Sequence, residues 1–431
     1  MQRPSLDLVA PASRSASRLT LISSMACGLC AALFTFLMLG IGITVPPDGW
    51  AYWEGSVSIL NGQGYVRFGG GQINAFPPLY PVLLAASQKI FGVSGATLIL
   101  TTSVLAGMTV SIWSFARFDV QQDTKLDRAH AWLFALFVTF FIPSYFTGLL
   151  SETLFLPLYG LLVILINRAI VRPSNRFAGK LCMGSVLLLA MLLTRNASVV
   201  LIPPLAILAF LYGRSYSMGR AVIATAAIAG AVVVWLLVRH WLGQGQSHLP
   251  GSVGAYSWAE YLRQILDDMA LRVAPLRFGG GYVVASGLLI SGIWAHVAYA
   301  KHGAARGIIV ANAGWSTFSL SLLFVLFNFT YVSDELAGRF MWQYVLHFIF
   351  VFTLAAAFVP VPTGRVLVAL MMVVLAIQVL RTATHVKTRI SGDAKANVQS
   401  FHTIRPDFIE RPPERHGTMQ LISPRDFGIV N

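Results

Sequence analysis

Residues 48–84 read DGWAYWEGSVSILNGQGYVRFGGGQINAFPPLYPVLL. The stretch follows a first long apolar run, from about Leu19 to Val45, and precedes a second that starts near Ser94. It sets an acid, Asp48, a Tyr52-Trp53 pair, a second acid, Glu54, and a Gly-rich segment at the end of a hydrophobic span. A carboxylate kept at a hydrocarbon boundary is costly, and a common reason for keeping one is chemistry. Asp48 follows Pro46-Pro47 and suits the N-cap of a short interfacial helix, a role that needs no function. Flanked by aromatics, it is also placed as a general base would be. Tyr52 and Trp53 have a plain reading too, since aromatic side chains mark membrane interfaces. Gly62, Gly64 and Gly69-Gly70-Gly71 mark turns, and no Walker sequence or other nucleotide loop accompanies them.

The composition agrees with a chain that lives in a bilayer. Of 431 residues, 56% are hydrophobic and only 11% charged, against roughly 25% charged in an ordinary soluble domain. The mean hydropathy is +0.69. Runs of about 20 apolar residues, enough to cross a hydrocarbon core, recur along the chain. The net charge of +14 is spread over short loops and not gathered into an aromatic-laced patch, which argues against nucleic acid and for membrane topology. Cys27 and Cys30 are spaced as C-x-x-C but lie inside an apolar run, as does Cys182, and read as small span residues. Arg3, Arg14 and Arg18 precede a first run too long for a signal-peptide core, so it is expected to stay as an anchor with a cytoplasmic N-terminus.

Lys and Arg concentrate in cytoplasmic loops, and this tendency orders the spans. After the loop of residues 46–93, with an amphipathic helix at about Phe76 to Phe91, a second span reaches Phe115. Arg117, Lys125 and Arg128 then fall inside, a third span ends outside at Ser151-Glu152, and a fourth leads inward to Arg168, Arg172, Arg176 and Lys180. Thr194-Arg195-Asn196 interrupts the apolar stretch Leu181 to Leu211 and suits a tight outer turn between two short spans. A seventh span leads to the longest outer loop, 239–281, and further spans are expected near 282–300, 307–329, 340–359 and 366–380. The reading is an all-α polytopic protein of about eleven spans over residues 1–380, with a helical first outer loop. A polar tail, 381–431, is expected to be flexible or lightly structured.

This topology gathers Asp48, Glu54, Glu152, Arg195, Asp334, Glu335 and Arg339 at outer span ends. Span ends also tolerate charge without any purpose, but seven groups on one face favour a cavity with a function. In RFMWQYVLHF, Arg339, Gln343 and His347 recur every four residues and share a helix face. An Arg at the mouth of a span with polar partners deeper suits a phosphate entering from the lipid; the plain alternatives are a snorkelling anchor and a buried structural histidine.

Five segments, PPDGWAYWEGSVSILNGQGY, FPPLYPVLLA, LLSETLFLPLYGLLVILINRA, LLTRNASVVLIPPLAIL and GRFMWQYVLHF, spread over most of residues 40–350. In order and spacing they resemble the GT-C superfamily of membrane glycosyltransferases, which includes the protein O-mannosyltransferases and transferases acting on lipid A and other envelope glycans. The resemblance implies a GT-C-like arrangement of helices and transfer of a hexose or pentose from a polyprenyl phosphate, with inversion, to a glycan, lipid or protein outside a bacterial inner membrane. It makes Asp48 the general base, matches Glu152 to the family's Ser-Glu step, and puts Arg195 and Arg339 near the lipid phosphate. Tyr52, Glu54, Glu335 and Gln343 join them as expected substrate-binding residues. Two features depart from the pattern. Asp48 is followed by Gly49 where many O-mannosyltransferases carry an adjacent acid pair, and the tail is short where some relatives carry a folded outer domain. No cofactor is required, although Asp48, Glu54 and nearby His residues make a divalent metal conceivable. A transporter or flippase, or a non-catalytic assembly subunit, would also carry many spans. Transporters commonly show paired halves with charges near the midplane, and neither feature is legible here.

Overall fold

The computed structural model describes residues 14–39, 43–45, 47–67, 71–73, 76–120, 124–146, 148–171, 177–242, 361–390 and 420–422. It also describes Arg263 and parts of 311–322 and 346–356, which are helical. The helices are α1 (Arg14–Leu39), α2 (Pro47–Leu60), α3 (Leu79–Phe91), α4 (Gly95–Asp119), α5 (Lys125–Tyr145), α6 (Glu152–Val171) and α7 (Phe177–Thr194). A 3-10 turn, Asn196–Leu201, leads into α8 (Ile202–Arg214), followed by α9 (Met218–Trp241) and, late in the chain, α10 (Val361–Ile390). Eight helices among the described residues are long and apolar enough to cross a membrane. The chain is an all-α polytopic membrane protein.

Local chemistry sets the helix starts. Ser94, Thr124 and Ser217 each stand in extended backbone, and their hydroxyl oxygens accept from Thr97 N, Asp127 N and Arg220 N at the mouths of α4, α5 and α9. α3 begins just after the Pro77-Pro78 step, and Pro203-Pro204 occupy the first turn of α8, where a missing N–H costs nothing. α5 starts earlier than its apolar run suggests, because Thr124 caps it and Asp127 follows in the first turn. The loop helices α2 and α3 pack on each other. Gly62 and Gly64, with φ of 73° and 84°, turn the chain between them, a conformation that disfavours any side chain.

Between lipid-embedded helices there is little hydrophobic drive, so association rests on close van der Waals contact. α1 lies along α4 through Gly28 and Gly107. A Cβ on Gly28 would stand 2.5 Å from the Gly107 carbonyl oxygen, and one on Gly107 would stand 2.8 Å from that of Gly28. α4 meets α6 where Trp113 Nε1 donates to the Leu156 carbonyl, 3.1 Å away, beside Gly160. The indole is fully buried between the rings of Tyr159, His347 and Phe350.

Helix alternation puts two chemically different ends on the bundle. At one end lie α2, α3, the α5–α6 junction and the α7–α8 turn; at the other lie Arg117, Asp119, Arg168, Lys180 and Arg214. Arg117, expected in a loop, is inside α4 and wholly buried, paired with the Asp127 carboxylate and donating to the Thr353 carbonyl at 3.0 Å. Two short strands were not expected: β1 (Ile43–Val45) pairs antiparallel with β2 (Gln420–Ile422), with Thr44 opposite Leu421. Three residues of the tail thus join the backbone just before Asp48, and 391–419 and 423–431 lie outside the described residues, as do 282–300.

Candidate active site

α2 carries the first part of the site. Pro47 opens the helix, so Asp48 lies inside its first turn, not at the cap, half-buried and close to the positive end of the helix dipole. Tyr52 follows one turn later on the same face. Its ring is held edge-on by Phe76 and Tyr80, and its hydroxyl donates to Ser151 Oγ at 3.1 Å. Ser151 in turn donates to Glu152 Oε2 at 3.4 Å. Glu152 Oε1 stands 3.1 Å from Arg195 Nη2, the acid side chain 3% and the guanidinium 6% exposed. A continuous polar line therefore runs from the helix of Asp48 to a buried cation.

The backbone fixes each member of that line. α7 stops at Thr194, and Arg195 takes extended geometry, φ −154° and ψ 128°, at the head of the 3-10 turn. Its N–H still donates to the Met191 carbonyl at 2.9 Å, and Ser198 Oγ donates to the same oxygen at 2.8 Å, so the turn is braced against the end of α7. Glu152 opens α6, where a carboxylate meets the positive helix end. Burial, reinforced by the Asp48 and Glu152 carboxylates, drives the Tyr52 phenol upward from its ordinary value, so it stays a neutral donor at physiological pH.

Of the residues singled out in the sequence, the structure brings Tyr52, Glu152 and Arg195 together, with Asp48 one turn from Tyr52. Glu54 is buried at 2% exposure, but it stands about 200° around α2 from Tyr52 and so belongs to another face. Glu335, Arg339 and Gln343 lie outside the described residues, as do 243–281 apart from Arg263. Among the described residues, no three His, Cys, Asp or Glu side chains converge as metal ligands.

His347 is buried inside a chain of hydrogen bonds that the sequence did not disclose. Asn312 Nδ2 donates to Asn167 Oδ1 at 2.6 Å, which leaves Asn312 Oδ1 to accept from His347 Nε2–H at 3.0 Å. His347 Nδ1 is then the acceptor for the Tyr159 hydroxyl, 2.9 Å away. The histidine is thus a neutral Nε2–H tautomer satisfied on both sides, tying α6 to the late helices. Ser151 was also missed as a bridge, although its place beside Glu152 in the Ser-Glu step was visible.

The arrangement of spans and the helical first loop form a fold known from solved structures. Two solved structures share it, both of ArnT from Cupriavidus metallidurans. The one bound to undecaprenyl phosphate superposes with a TM-score of 0.59 at 12% identity, covering 90% of this chain and 84% of that one. The apo structure gives a TM-score of 0.57 at 13% identity, covering 94% and 87%. No protein-family model and no curated protein sequence matches the chain.

Proposed function

We propose that this protein is a membrane glycosyltransferase that moves a hexose or pentose from a polyprenyl phosphate to a glycan, lipid or protein acceptor on the outer face of a bacterial inner membrane. The observation that carries the reading is the line Tyr52–Ser151–Glu152–Arg195 beside Asp48, set within a fold shared with a protein that binds undecaprenyl phosphate. The Asp48 carboxylate takes the proton of an acceptor hydroxyl or amine, and the freed lone pair attacks the anomeric carbon. The bond from that carbon to the phosphate oxygen breaks, its electrons leave with the polyprenyl phosphate, and the configuration inverts. Arg195 offsets the charge that grows on the leaving phosphate. Glu152 holds the guanidinium in place, and Tyr52 and Ser151 orient Glu152. Arg339, with Glu335 and Gln343, completes the phosphate end from the later part of the chain.

The test is transfer by the purified protein in lipid vesicles, given a panel of polyprenyl-phosphate sugars and a crude envelope acceptor fraction, with Asp48→Asn alongside. Sugar leaving the lipid with wild type and not with the variant supports the assignment. Equal turnover by both removes Asp48 from the mechanism, and inertness of wild type across the panel favours a transporter or an assembly subunit.

A further inference from the structure

An apolar cleft of about 100 Å³ opens between α6, α7, α8 and α9, reaching from Leu205 in the first turn of α8 to Lys180 and Tyr212 at the other end of these helices. Its walls include Leu162, Leu165, Gly184, Leu208 and Ile228, and its rim carries Lys180 and Tyr212. Lys180 lies in the first turn of α7 and Tyr212 in the last turn of α8, which places the rim at the end opposite the candidate active site. The rim is polar in a specific way. Lys180 Nζ donates to the Arg168 carbonyl at 3.2 Å and lies 5.9 Å from the centre of the Tyr212 ring. Arg214 and Arg220 are exposed nearby in sequence, Arg220 stacking on Phe177 and Tyr216, the latter a neighbour of Tyr212. Asp119, an acid at this end, is engaged by Arg168 at 2.9 Å.

We propose that this cleft is a binding site for an anionic phospholipid of the leaflet at the basic end, the cytoplasmic one by the positive-inside tendency. Part of one acyl chain fills the apolar walls, and the phosphate rests against Lys180 at headgroup depth, with Tyr212 as the interfacial ring beneath it. Charge complementarity selects the occupant: a zwitterionic lipid offers the same chains, but only an anionic one leaves net negative charge against the basic rim. A polyprenyl phosphate bound in the active site has its phosphate at the other end. The inference needs bilayer insertion alone and stands or falls apart from the transferase reading.

The experiment is native mass spectrometry of the detergent-purified full chain incubated with phosphatidylglycerol or phosphatidylcholine of matched chains, for wild type, Gly184→Leu, Gly184→Ala and Lys180→Gln. Wild type should hold one phosphatidylglycerol in clear preference to phosphatidylcholine. Gly184→Leu, which puts a side chain into the cleft, should lose it. A Cβ at Gly184 meets Leu165 Cδ2 at an ordinary 3.5 Å, so Gly184→Ala should fold and retain the lipid. Lys180→Gln should lower the preference about five-fold without abolishing binding. Equal retention of both lipids by wild type, or an unchanged preference in Lys180→Gln, overturns the proposal. So does displacement of phosphatidylglycerol by an equimolar polyprenyl phosphate.

Discussion

The Arg195–Glu152 pair permits a separation of stability from donor binding. Both side chains are nearly excluded from solvent, at 6% and 3% exposure, and their charged atoms are 3.1 Å apart. Removing one member of such a pair leaves the other charge buried and uncompensated, which costs about 3–5 kcal/mol, whereas removing both costs much less. Arg195→Gln and Glu152→Gln should therefore each lower unfolding stability substantially, and the double variant should lie well above the sum of the two. Donor affinity should behave differently. If Arg195 meets the lipid phosphate, its loss removes a charged hydrogen bond worth about 1.5–3 kcal/mol, or roughly 10- to 150-fold in Kd. Glu152→Gln keeps the cation and removes a competing anion, so it should bind polyprenyl phosphate at least as tightly as wild type. The assays are thermal unfolding in detergent and equilibrium binding of a polyprenyl phosphate, both on the same four proteins. A Glu152→Gln protein that binds the lipid as weakly as Arg195→Gln would refute the division of roles, because the pair would then matter only as a brace.

The other predictions concern the loop tyrosines and the bundle. Burial raises the phenols of Tyr52, Tyr65 and Tyr80. In the unfolded chain each titrates near about 10, so above that pH the folded state binds more protons than the unfolded one. Stability should be undiminished by these groups below about pH 10 and should fall as pH rises beyond it, and Tyr52→Phe should make the fall shallower in thermal melts across pH 8–11. That substitution also removes the bond to Ser151, worth about 1 kcal/mol at neutral pH. Gly28→Ala should loosen α1 from α4, since its Cβ would stand 2.5 Å from the Gly107 carbonyl oxygen of the facing backbone; a melt equal to wild type would contradict the packing. His347→Ala should remove the hydrogen bonds that the imidazole makes with the Tyr159 hydroxyl and Asn312 Oδ1, at about 1 kcal/mol or more each, and the loss should show in a thermal melt.

Much of this molecule was readable before its structure, and what was not shares one physical cause. Hydrophobic runs, the Pro77-Pro78 step, and the Thr194-Arg195-Asn196 break all act locally, so α3, α4, α6 and the α7–α8 turn lie close to where the pattern put them. Asp48, Glu152 and Arg195 stood out for the same reason, as charges beside apolar runs. Their connections did not stand out. Ser151 and Tyr52 are 99 residues apart in the chain, and His347 meets Tyr159 across 188; no periodicity reports a contact between helices. β1 and β2 are three-residue strands from the two ends of the chain, ITV and QLI, too short to carry an alternating pattern.

Arg117 shows where the argument from charge alone fails. A basic residue closing an apolar run reads as an interface anchor, and by the count of spans Arg117 belonged in a loop. The fold instead closes the α4–α5 hairpin so that Asp127, in the first turn of the next helix, meets it, while Thr353 supplies further acceptors from a late helix. Its burial is thus as complete as that of Arg195, yet it sits at the basic end, away from α2 and its acid. Burial of a charge at membrane depth marks a place where the protein has spent stability, but it does not say on what. What separates the two pairs is company. Arg117 is enclosed by groups that fasten α4, α5 and a late helix to one another. Arg195 is joined through Glu152, Ser151 and Tyr52 to the helix of a half-buried carboxylate, which is the pairing of acid and cation that the proposed displacement of a lipid phosphate would use.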